Sequence, residues 1–148
     1  MLSCESDGPL SVMITKIWMD PHAGEVAVGR IFSGTVKQGE TLWALGGSKA
    51  ERAQQVAMMV GGDRIQVPEV SSGNIVAITG IRSAAAGVTI SREADATPFE
   101  AIRHYSEPVV TVAIEPKALK DLPKFVDALR TLAKSDACLL YTSPSPRD

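Results

Sequence analysis

The sequence predicts a mainly β protein, a small antiparallel β-barrel followed by an incomplete α+β unit, and three features carry that expectation. The first is the stretch GEVAVGRIFSGTVKQG, which sets Gly24, Gly29, Gly34 and Gly39 at intervals along one strand-like run. Glycine serves where the backbone takes φ > 0 or where another strand passes too close for a side chain, so this spacing describes a strongly bent, closed sheet. The second is a series of short apolar runs at regular spacing with turn residues between them. The third is one run near the C-terminal end whose apolar residues recur every three or four positions, as on a helix.

Taken in order, residues 1–8 (MLSCESDG) are polar and turn-rich and read as a linker or domain edge, and the barrel is expected over residues 9–91. Leu10, Val12, Ile14 and Ile17 mark a first strand that ends at Trp18-Met19. Asp20-Pro21-His22-Ala23-Gly24 is a turn: proline presets φ, aspartate bonds the nearby backbone, and glycine takes the left-handed position. The return strand runs Glu25–Phe32, bends at Ser33-Gly34, continues through Thr35-Val36 and stops at Lys37-Gln38-Gly39. Further strands are expected at Glu40–Leu45, at Arg52–Val60 without interruption, at Ile65–Val67, at Asn74–Ile78 and at Val88–Ile90. Residues 92–107 read as a linker, and residues 108–140 as the start of a second domain. That start comprises an apolar strand over Pro108–Pro116 and a helix capped by Asp121, with Pro123 in its first turn. The helix's apolar stripe is Leu122, Phe125, Val126, Leu129, Leu132 and Ala133, while Lys124, Asp127, Arg130 and Lys134 take the wet face. One strand and one helix cannot bury such a stripe, so this unit is expected to be truncated. The tail, residues 141–148, fits neither element and reads as foreign sequence.

The bulk properties narrow the function classes. With 148 residues, 45% of them hydrophobic and 22% charged, the chain has the composition of a soluble globular protein. A net charge of −2 argues against an autonomous nucleic-acid binder but leaves room for a local basic face. Cys4 and Cys138 are far apart and read as free thiols, and no Cys/His spacing suggests zinc. No apolar run reaches the roughly 20 residues of a membrane-spanning helix, and the N-terminal residues lack a signal-peptide pattern, so an intracellular, cytoplasmic setting is the default expectation.

A search for catalytic chemistry returns little. The string G-x-x-x-x-G-K-[ST], which would cradle nucleotide phosphates, does not occur, and the glycines of the Gly24–Gly39 stretch lie in strand bends with no helix start behind them. No catalytic, cofactor-binding or metal residue is assigned, and no GTP hydrolysis is expected of this chain by itself. His22 is read as a solvent-exposed turn histidine and His104 as interdomain packing, because neither has a nucleophile beside it. Trp18, Trp43 and Phe32 present aromatic surface suited to stacking bases, but strand aromatics in a small barrel are usually core, and core is the expectation here.

The pattern Gly29, Arg30, Gly34 and Gly39 resembles that of the second domain of translational GTPases, and MITKIWMDPHAGEVAVGRIFSGTVKQGE looks specifically like elongation factor 2, the archaeal and eukaryotic translocase family. The likeness extends over roughly residues 1–140, through Gly73-Asn74-Ile75-Val76-Ala77, Gly80, Gly87 with Thr89, Thr97-Pro98-Phe99-Glu100, Ser106-Glu107-Pro108-Val109 and Leu122-Pro123-Lys124. It implies a fragment covering the second domain and the start of the third. Gly24, Gly29, Gly34, Gly39, Gly73, Gly80 and Gly87 are then structural turn and bend positions. It also implies an intact factor that works in GTP-dependent elongation with GTP and Mg²⁺ held on another domain, and a barrel that acts as a non-catalytic, monomeric coupling element.

Basic residues are spread over strand ends and loops at Lys16, Arg30, Lys37, Lys49, Arg52 and Arg64, and each taken singly reads as solvated surface. The resemblance implies that the barrel lies between small-subunit ribosomal RNA and the factor's own GTPase domain. It makes Arg30 and Lys37, then Lys16 and Arg52, the candidate RNA contacts. The competing reading is an independent small barrel that binds RNA or a protein partner.

Overall fold

The computed structural model describes residues 4–100, 109–136 and 139–140. The long hairpin expected from the first two runs forms as β1 (Ser11–Asp20) and β2 (Gly24–Ser33), joined by the Asp20–Gly24 turn. Short strands follow: β3 (Thr35–Lys37), β4 (Thr41–Ala44), β5 (Ala50–Arg52), β6 (Gln55–Val60), β7 (Asp63–Gln66), β8 (Glu69–Ser71), β9 (Ile75–Thr79) and β10 (Thr89–Ser91). Eight of them form one sheet in the order β5-β4-β10-β1-β2-β9-β6-β7, with all its pairings antiparallel, while β3 and β8 pair separately.

The sheet is rolled, and chain connectivity shows why. β5 stands at one edge and β6 six strands away, yet only Ala53 and Gln54 separate them in sequence. Six strand spacings in a flat sheet amount to about 29 Å, whereas the three peptide units from Arg52 to Gln55 reach at most about 11 Å. The two ends must therefore curl toward each other. Among the described residues no hydrogen-bonded ladder joins the edge strands β5 and β7, so the expected closed barrel is corrected to a rolled, incompletely closed sheet. The seam is crossed at Ala53–Gln54, where the Ala53 N–H donates to the Glu40 carbonyl and the Gln54 N–H to the Thr79 carbonyl, both at 2.9 Å. This turning point also splits the single strand expected over Arg52–Val60 into two.

Side chains on the concave face fill the roll. Val12, Ile14, Ile17, Ala27, Ile31, Leu42, Val56, Val76, Ile78 and Ile90 form its centre, and Val36 and Val70 of the β3–β8 pair join the same cluster. A bulge between Ile14 and Lys16 preserves this arrangement: it adds Thr15 to β1, so Ile14 and Ile17, three residues apart, both point inward. The φ values are positive at Gly24 (75°), Gly34 (81°), Gly39 (80°), Gly73 (90°), Gly80 (96°) and Gly87 (87°). Gly29 differs. It faces inward opposite Ile14, and a Cβ there would sit 2.3 Å from the Met13 carbonyl oxygen, so that position demands close approach rather than unusual backbone.

The C-terminal region departs from expectation. Residues 109–116 form no strand, and Val109 is 97% exposed; among the described residues no neighbouring strand takes the backbone hydrogen bonds of this apolar run. A short 3-10 turn (Leu119–Asp121) leads into α1 (Leu122–Ser135). Asp121 occupies the cap position, but its side chain makes no capping bond. Its backbone is already helical (φ −91°, ψ −4°), unlike the extended conformation in which a cap oxygen turns back to the first amides. No residue of α1 is buried, and Leu122 and Leu132 on the apolar stripe are 45% and 53% exposed. Lys134, expected on the wet face, instead reaches the rolled sheet: its Nζ lies 3.1 Å from Glu25 Oε1 and 3.0 Å from the Arg82 carbonyl oxygen. His104 and the rest of the linker after residue 100, Cys138 and the 141–148 tail lie outside the described residues.

Candidate nucleic-acid interface

The convex face of the hairpin is fixed by register. Lys16 pairs with Val28 and Trp18 with Val26, so Lys16, Trp18, Val26, Val28 and, two residues further on, Arg30 all point outward. Arg30 stands diagonally across from Lys16, a separation of roughly 7–8 Å between such positions. Its guanidinium carbon lies 5.3 Å from the centre of the Phe32 ring, which packs in turn on Phe99 with ring centres 4.9 Å apart. The stack holds Arg30 upright while leaving it exposed.

The other two candidates sit elsewhere. Lys37 ends β3 and lies 3.8 Å from Glu69, and Arg52 ends β5 and donates from Nε to the Gly39 carbonyl at 3.0 Å. Both flank the turn at Gly39, and Glu40 reinforces that turn by accepting the Lys37 N–H at 3.1 Å. Arg92 ties the same corner from the end of β10, bonding Glu40 and donating to the Thr35 carbonyl at 2.6 Å. The four predicted residues thus form two pairs, Lys16 with Arg30 on the hairpin wall and Lys37 with Arg52 at the turn.

Arg64 extends the hairpin wall. It lies on β7 and reaches Asp20, at the end of β1, at 3.5 Å. Asp20 also accepts the N–H groups of His22 (2.8 Å) and Ala23 (2.9 Å). These backbone bonds, first that of Ala23 and then that of His22, together with the charge of Arg64, hold its carboxyl below its ordinary value of 3.8. His22 itself is exposed, as expected of a turn histidine. Below this bridge a small second cluster of Val26, Ala57 and Ala77 is buried on the convex side.

The aromatic expectation is corrected in part. Phe32 and Trp43 are half-buried, but Trp18 is 45% exposed on the same wall as Lys16, because the hairpin extends past the end of the core. Sequence reading also missed the Glu51–Ser83 clamp, in which Glu51 Oε2 accepts the Ser83 hydroxyl at 2.5 Å and its N–H at 2.9 Å. Burial pushes the Glu51 carboxyl up, and the two Ser83 bonds, with the charges of Lys49 and Arg82, bring it net below its usual value. Neither partner belongs to a recognisable local pattern, since the two lie far apart in sequence.

Among the described residues no group of three or more His, Cys, Asp or Glu side chains converges as metal ligands do. No helix among the described residues is long and apolar enough to cross a membrane.

Comparison with known proteins places this architecture. The chain is 54% identical over 136 residues to elongation factor 2 of Picrophilus torridus, covering 92% of this chain and 18% of that protein. It is 50% identical over 140 residues to elongation factor 2 of Methanoregula boonei (94% and 19%) and 52% identical over 139 residues to that of Thermococcus kodakarensis (94% and 19%). The chain therefore spans about a fifth of the length of these relatives. A crystal structure of a protein from Thermus thermophilus superposes with a TM-score of 0.67 at 26% identity, covering 88% of this chain and 20% of that one. The family described as elongation factor G domain 2 matches residues 9–93, the whole of the rolled sheet, and the chain belongs to that family.

Proposed function

We propose that this chain is the coupling and ribosome-contacting portion of a translocase of the elongation factor 2 type, acting in GTP-dependent translation elongation in the cytoplasm. The match of residues 9–93 to the family, together with 50% identity to such a factor over 140 residues, is the observation that supports this reading. GTP and Mg²⁺ belong to another part of the intact factor, and this portion is non-catalytic and works as a monomeric unit within it. The rolled sheet is a rigid body held by one continuous core, suited to passing a rearrangement of the GTP-binding domain to its neighbours as a two-state movement.

The hairpin wall and the Gly39 turn face small-subunit RNA, with Arg30 and Lys37 as the leading phosphate contacts and Lys16 and Arg52 supporting them. Phosphate attracts such side chains without reading sequence, so the contact orients the barrel rather than selecting a site. The test is ribosome affinity of the intact factor with Arg30→Glu and Lys37→Glu combined. Each lost phosphate contact flattens the salt dependence, so affinity should fall by at least about tenfold near physiological salt. Unchanged affinity would remove both residues from the interface.

A further inference from the structure

The exposure of Trp18 carries one step more, resting on the reading that the hairpin wall faces RNA. On the convex side of β1, Trp18 stands between two cationic positions. Lys16 is two residues before it, and Arg64 approaches from β7 to Asp20, two residues after it. Arg30 follows diagonally across β2. The wall thus sets Lys16, Arg30 and Arg64 around one open aromatic, beside Val26, Val28 and the half-exposed Ile75 that pairs with Arg30, while Phe32 is already engaged by Phe99 and Arg30. Asp20 is the acidic group on this row, and Arg64 and the turn amides occupy it.

We propose that Trp18 is a stacking platform for an unpaired base of single-stranded RNA, whose flanking phosphates run over Lys16 and Arg30. Three features fit this ligand. The indole is 45% exposed rather than sealed under neighbouring side chains. Successive outward residues of one strand are about 6.7 Å apart, close to the distance between neighbouring phosphates of an extended strand, so Lys16 is placed for the phosphate next to a base on Trp18. The cations of the row, Lys16 and Arg30 above all, are complementary to a polyanion.

The experiment uses the full 148-residue chain carrying Trp43→Phe, so that Trp18 is its one tryptophan. It is titrated with a single-stranded oligoadenylate of about 12 nucleotides, with heparin as a polyanion without bases, and with the isolated GTP-binding domain of a relative. The proposal expects oligoadenylate to quench Trp18 emission and heparin to bind without quenching. Adding Trp18→Ala should weaken oligoadenylate binding about tenfold or more while leaving heparin binding unchanged, and Trp18→Phe should restore most of the loss. Lys16→Gln should instead weaken both polyanions and lower the salt slope by about 0.7. Oligoadenylate binding that Lys16→Gln weakens but Trp18→Ala does not would overturn stacking and leave the RNA-facing reading standing. Quenching by the GTP-binding domain alone would assign the patch to a protein neighbour and overturn the proposal. Far-ultraviolet circular dichroism of Trp18→Ala separates loss of stacking from loss of fold.

Discussion

The rolled sheet and the helix that follows it are both amphipathic by sequence, yet only the sheet buries its apolar side completely. Ile14, Ile31, Leu42, Ile78 and Ile90 are wholly buried, each contributed by a different strand. On α1 no stripe residue is fully buried: Phe125, Val126, Leu129 and Ala133 are half-buried, Leu122 and Leu132 are exposed, and the last turn is tied down by Lys134 on Glu25 and by the Ala86 N–H on the Lys134 carbonyl. Periodicity therefore reports which face of an element seeks cover, and says nothing about whether cover is present.

The largest test of that contrast is truncation on each side. Ile31→Ala should cost about 2–5 kcal/mol in urea unfolding, because its cavity is lined by strands that cannot collapse without breaking pairings. Leu129→Ala on the helix should cost less than about 1 kcal/mol. Equal costs would mean that the helix shares the cooperative core, and the comparison would fail. Gly29→Ala comes next, at about 1–3 kcal/mol, since a methyl group 2.3 Å from the Met13 carbonyl oxygen must force β1 and β2 apart. A value near zero would show that the hairpin yields locally.

What sequence revealed follows the same division. The hairpin, its Asp20–Gly24 turn and the inward Ile14, Ile17 and Ile31 were legible, because turn chemistry and alternation are local signals. The helix was legible from its spacing, but its cap was not, because a preceding 3-10 turn sets the backbone of Asp121. The strand expected over Pro108–Pro116 failed because strands are completed by neighbours, and β propensity alone supplies none. Of the candidate surface, the four basic residues were visible as charges, but their division into two pairs depends on the bulge at Thr15 and on the fold of the Gly39 turn. The exposure of Trp18 was misread for a related reason: the hairpin outruns the core, a matter of relative lengths in three dimensions.

A smaller effect is expected at the junction of the two regions. Lys134 and Glu25 are 37% and 26% exposed in their side chains, and a pair so placed contributes less than about 1 kcal/mol. Lys134→Gln should raise protease cleavage within residues 109–136 by no more than about fivefold while the sheet over 9–93 resists as before. Faster cleavage inside the sheet as well would mean that the helix braces it.

The smallest effect is acidic and belongs to the sheet. The Ala23 and His22 amides and Arg64 favour the charged form of Asp20, so its folded carboxyl titrates below 3.8. A depressed folded value contributes stability that is present above the unfolded value and is lost as pH falls through the folded one. Thermal unfolding followed from pH 5 downward should therefore show a loss below about pH 4 that Asp20→Asn diminishes. The effect is minor because desolvation of the half-buried carboxylate opposes the lowering. It should nonetheless be confined to the sheet's transition and leave protease cleavage of α1 unaltered, since the turn and Arg64 both lie on the sheet. If Asp20→Asn instead altered cleavage of the helix, the hairpin turn and α1 would be coupled, and the division between a cooperative sheet and a loosely attached helix would need to be redrawn.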